Sequence, residues 1–109
     1  MNKPIKDLLQ MYENSLGSEG YQRREVGHTP QSDDETLGHV RWMIDHMQNG
    51  ADPRFENEKV VMNWVGMIQG ALFATKKFSL AALRSQADAL SGPHQEMKPV
   101  KTLPALRPA

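Results

Sequence analysis

Residues 57–77 constrain the fold more than any other part of the chain. At helical spacing, Val60, Val61, Trp64, Ile68, Ala71, Leu72 and Thr75 fall on one broad face. Met62, Gly66, Gln69, Gly70 and Phe73 lie largely on the opposite side, where a surface helix should carry charge. A helix that is apolar nearly all round is a buried one. In a chain of 109 residues this predicts a rod enclosed by the other helices or by an interface between copies. Gly66 and Gly70 sharpen the point, because each mid-helix glycine costs about 1 kcal/mol relative to alanine. Two of them on one face predict close approach by another backbone, either that of the preceding helix or that of a second copy.

Three other helices are legible. Ile5, Leu8, Leu9, Tyr12 and Leu16 recur at three- and four-residue spacing, with Pro4 in the first turn and Gly17 as a stop. Ser32-Asp33-Asp34-Glu35 is a capping box, and its acids complement the helix dipole. It opens a helix whose stripe is Leu37, Val40, Met43, Ile44 and Met47, and which Asn49-Gly50 ends through its tolerance of positive φ. Ser79 caps a last helix with Leu80, Leu83, Ala87 and Leu90 inward, closed by Gly92-Pro93. No strand alternation, internal repeat or heptad series stands out. The expected class is all-α, a small helical bundle of three to four helices. Residues 1–16 form a first helix and 17–31, rich in glycine and poor in apolar residues, a flexible linker that leaves that helix loosely tethered or docked only in a complex. Residues 32–92 form the helical core, and 93–109, with four prolines, a disordered tail.

Composition removes whole classes of function. There is no cysteine, so disulfide scaffolds, thiolate metal sites and cysteine nucleophiles are excluded, and a reducing, cytoplasmic setting is expected. No apolar run approaches the ~18 residues of a membrane span, and no secretory signal is recognisable. Net charge is zero, but acids crowd residues 31–58 and bases residues 59–109, an asymmetry read here as attraction between the two halves.

No reaction is legible. His39 and His46 share a helical face but stand two turns, about 10 Å, apart, whereas Zn–N bonds are about 2 Å. No metal, cofactor or catalytic residue is therefore expected. The serines occupy caps and loops, and there is no nucleophile elbow, Walker loop or dinucleotide fingerprint. What remains are contact surfaces. Trp42 stands off the apolar stripe of its helix between His39 and His46, with Arg41 and Asp45 at the rim. It either covers the first helix or forms a hot spot for a protein partner. His39, Trp42 and His46, together with Gly66, Gly70 and Phe73, are the candidate partner-binding set. Lys76, Lys77, Arg84 and the basic tail form an alternative, nucleic-acid-binding set.

His39-Val40-Arg41-Trp42-Met43 and the run Glu58 to Phe73, with its Trp-x-Gly-x-x-Gln-Gly core at Trp64, Gly66, Gln69 and Gly70, resemble a group of small tailed-phage and prophage proteins. The similarity spans about Leu37 to Gln86. The chain departs from it at Asn63, where the group tends to have arginine, and at Phe73, where it tends to have a larger aromatic. The resemblance implies a phage accessory origin and no mechanism. The function expected is that of a non-enzymatic accessory protein in the host cytoplasm, acting by self-association or by binding and modulating a host component.

Overall fold

The computed structural model describes residues 1–91. Four α-helices follow one another: α1 (Lys3–Ser18), α2 (Asp33–Asn49), α3 (Glu58–Ala74) and α4 (Leu80–Ser91), with a 3-10 turn at Pro53–Glu56 before α3. Among the described residues there is no strand, and the all-α class holds. The Gly92-Pro93 stop and the tail 93–109 lie outside the described residues.

In α1, the Asn2 side chain accepts from the Ile5 amide at 3.1 Å, and Pro4 sits in the first turn, where its missing N–H costs nothing. All five expected apolar residues are buried, Leu9, Tyr12 and Leu16 completely. Burying such a side chain contributes about 1.5–3 kcal/mol, so five of them make α1 a wall of the core. The expectation of a loosely tethered first helix is thereby corrected. The helix also runs past Gly17, and the chain turns instead at Gly20, whose φ of 87° suits glycine.

The connection from α1 to α2 is likewise not the slack linker its composition suggests. The Arg24 amide donates to the Gly38 carbonyl at 3.1 Å, and the Val26 amide donates to His39 Nδ1 at 3.0 Å. Arg41 donates to the Tyr21 carbonyl at 2.7 Å. A Cβ at Gly38 would collide with the Gln22 carbonyl oxygen, so glycine is what lets this segment lie against α2. Its low apolar content hid the order, because polar bonds hold it rather than burial.

Ser32 caps α2 as expected, accepting from the Glu35 amide at 3.2 Å. Glu35 reaches back one residue further than in a standard capping box, to the Gln31 amide at 2.8 Å. Positive φ plays no part at the other end, since Gly50 has φ −78°. A Cβ there would instead press on the His46 carbonyl. In α4 the Ser79 hydroxyl accepts from the Ala82 amide at 3.1 Å. Leu83 is buried and Leu90 partly so, whereas Leu80, expected inward, is 52% exposed.

The core lies between α1, α2 and α3, and α4 closes it against α1 and α3. At its centre the Tyr12 hydroxyl donates to Gln86 Oε1 at 2.6 Å and accepts from Gln69 Nε2 at 3.0 Å. One phenol thus links α1, α3 and α4. Burial pushes its pKa up, and the Gln69 hydrogen bond offsets part of that. The attraction expected between the acidic and basic halves takes no form of direct pairing: among the described residues no ion pair joins 31–58 to 59–91, and Lys77 pairs with Glu19 of the first segment at 2.5 Å.

Candidate functional site

The two candidate surfaces separate around α3. Its buried side carries Val61, Val65, Ile68 and Leu72. At 100° per residue, Trp64 flanks that side, and Gly66 and Phe73 stand about 160° and about 180° round from it. The residues grouped as one partner-binding set therefore form two unconnected sites.

The first is an aromatic ladder between α2 and α3. The His39 and Trp42 rings stack at 5.3 Å, Trp42 and His46 at 5.0 Å within 8° of parallel, and His46 and Trp64 at 5.7 Å. Phe55 meets Trp64 edge-on at 4.8 Å. Spacing by three and four residues on α2 puts His39, Trp42 and His46 above one another. Trp64 completes the column from the neighbouring helix. Asp52 Oδ2 lies 3.3 Å from His46 Nε2 and accepts from Arg54 at 2.6 Å, and the Arg54 guanidinium sits 5.8 Å from both the Phe55 and Trp64 rings. The Arg54 side chain, its backbone amide and His46 together hold the Asp52 carboxyl well below the usual carboxylate range.

Each inner ring face in this ladder is covered by the next ring, and Trp42 and Trp64 are partly buried. Trp42 covers α3, not the first helix. Arg41, expected at the rim, points the other way, where its Nε donates to Glu13 Oε2 at 3.2 Å. The ladder is a clamp between helices rather than a free hot spot. Trp64, Phe55, Asp52 and Arg54 are members that sequence reasoning did not connect to His46, because they meet it only through the turn after α2.

The second site is the outer face of α3. The expectation that the chain's own helices enclose this rod is overturned; the other covering named for it, an interface between copies, lies outside a single chain. Met62, Met67 and Phe73 are 40%, 55% and 52% exposed, and a Cβ built on Gly66 or Gly70 meets nothing within 4 Å. Close packing of α2 across the two glycines, one of the two explanations for them, is thus ruled out. Gln69 leaves this face and turns inward to Tyr12. From Val60 to Thr75 there is no charged residue, although half the circumference of the helix meets water. The two glycines form the floor of a shallow trough, walled by Met62 and Phe73 on one side and Met67 on the other. Met67 is not in the candidate set, yet its spacing from Asn63 and Gly70 puts it on this face.

The alternative basic set is depleted by the fold. Lys77 is held by Glu19 and sits 4.9 Å from the Tyr21 ring centroid, which leaves Lys76 and Arg84 free among its described members. A polar groove of about 440 Å³ between α1 and α2 is bordered by Glu13, whose Oε2 is taken up by Arg23 and Arg41. Among the described residues no three His, Asp or Glu side chains are placed to share a metal ion, and no helix is long and apolar enough to cross a membrane.

No protein-family model matches the chain, and neither a curated protein nor a solved structure is similar to it.

Proposed function

We propose that this chain acts by binding protein rather than by catalysing a reaction, and that the outer face of α3 is its contact surface. One observation carries this. A helix with no charge over Val60–Thr75 presents Met62, Gly66, Met67, Gly70 and Phe73 to water, although the rest of the bundle separates apolar from polar residues in the ordinary way. Single exposed apolar residues are normal on a surface, whereas an uncharged, mostly apolar stripe, here interrupted by exposed Asn63, marks an interaction site. Methionines suit such a surface because their unbranched, polarisable side chains adapt to what they meet. A binding role of this kind also suits the phage-type accessory group that the Trp-x-Gly-x-x-Gln-Gly motif resembles, with a host protein or the chain itself as partner.

The test is a photo-crosslinking side chain placed at Phe73 in the full chain expressed in cells, with the same group at exposed Gln10 on α1 as control. Crosslinks to protein from position 73 that vanish on adding Met67→Glu are expected. Equal labelling from both positions, or none from position 73, overturns the proposal.

A further inference from the structure

The partner that this face fits best is a second copy of the same chain. Resting on the protein-binding proposal above, we infer that two copies pair through α3 in an antiparallel, two-fold arrangement whose axis passes between Gly66 and Gly70. Three observations support that occupant.

The first is steric. Met62, Gly66, Gly70 and Ala74 form one i, i+4 row along the exposed face. Reversed against itself about its midpoint, this row sets Gly66 over Gly70 of the second copy and Met62 over Ala74 of the second copy. Large thus meets small, and the two glycine floors meet each other. Interdigitating i, i+4 rows are the commonest way for helices to cross, at about 50°. Two-fold pairing requires such a self-complementary patch, with the same residues serving both sides.

The second is charge. The face is neutral along its length and polarised at its ends, with exposed Glu56 and Glu58 at the start of α3 and exposed Lys76 just beyond its end. An antiparallel pair brings each acidic start toward the basic end of the other copy and opposes the two helix dipoles. A parallel pair would set acid on acid. Lys59 lies on the face itself beside Glu58 and reduces the acidic excess at that end to one unit; Lys77 is neutralised by Glu19, so the other end carries one unit of opposite sign.

The third is area. A half-exposed side chain of the size of Phe or Met leaves roughly 100 Å² uncovered. Three of them with the glycine floor and its small neighbours supply roughly 500 Å² per copy. The resulting pair buries roughly 1,000 Å², just short of the ~1,200–2,000 Å² of stable complexes. The pairing is therefore reversible and depends on concentration.

Sedimentation equilibrium of the full-length chain over a wide concentration range tests this directly. A monomer–dimer equilibrium is expected. Gly66→Leu and Gly70→Leu should each weaken it by about tenfold or more even though they add apolar surface; tighter association in these variants would overturn the close approach of the two floors. Glu58→Lys and Lys76→Glu should each weaken pairing and together restore it, with circular dichroism reporting that α3 is intact in each. No restoration overturns the antiparallel arrangement. A chain that stays monomeric to millimolar concentration, yet crosslinks another protein from position 73, overturns self-pairing and leaves the protein-binding proposal standing. Absence of both overturns both.

Discussion

Lys76 stands in the left-handed region at φ 62°, one residue beyond the Thr75 cap of α3. Its amide donates to the Phe73 carbonyl at 3.0 Å and that of Lys77 to the Leu72 carbonyl at 2.9 Å, the two bonds of a Schellman stop. Glycine is the usual occupant, because a Cβ in this conformation costs about 1–2 kcal/mol. Lys76→Gly should raise stability to urea by about 0.5–1 kcal/mol, part of the relief being cancelled by the freer unfolded chain. Gly66→Ala and Gly70→Ala should each stabilise the dilute, monomeric chain by up to about 1 kcal/mol, since the added methyl touches nothing. A loss of stability at either position would place a contact there that the single chain does not have. Tyr12→Phe removes one hydroxyl but leaves both Gln69 and Gln86 without their partner. Urea unfolding should show a cost of about 1–3 kcal/mol.

Between elements, Glu13 is the polar junction of α1, α2 and the segment that joins them. Burial of its carboxylate works against ionisation, but hydrogen bonds and charge from Arg41 and Arg23 outweigh it, so the net pKa is lowered. A carboxyl whose folded pKa lies below its unfolded value, about 4.3, contributes stability that is fully present above that value. The contribution is lost as pH falls through the folded pKa. Urea unfolding from pH 7 downward should therefore show a loss of stability below about pH 4, and Glu13→Gln should flatten this acid limb while lowering stability at pH 7. A variant with an unchanged acid limb would remove Glu13 from that role. Gly38→Ala should push the Arg24–Val26 segment off α2, read as faster trypsin cleavage at Arg23 and Arg24 with α-helix content retained.

For the whole molecule, the core is shared among all four helices, and α1 alone supplies Ile5, Leu8, Leu9, Tyr12 and Leu16 to it. A chain beginning at Ser32 should lack a cooperative thermal transition; a cooperative transition would mean that residues 32–92 form a core without α1. The surface left over once the core is formed is what the binding proposal uses. The α2–α3 ladder and the outer face of α3 lie on opposite sides of one helix. Trp42→Ala should consequently lower stability by about 1–3 kcal/mol, less than for a fully buried tryptophan, and leave the dimerisation constant of the folded chain unchanged.

The chain's local chemistry was sufficient to determine the four helices, the stripes of α1 and α2 and three of the starts. Asn and Ser side chains at the caps, proline in the first turn and apolar residues every three or four positions act within a few residues of one another. The stripe of α1 and the Ser32 and Ser79 caps stand where spacing puts them. Where each face points was decided only in three dimensions. Nothing near Trp64 in sequence says that it stacks on His46, nor does anything near Gln69 say that it turns inward to Tyr12. The same holds for the α3 rod itself, since apolar residues on every side look the same in sequence whether a face is covered within the chain or left bare. Among the described residues the other three helices enclose one side of α3 and leave the opposite side bare.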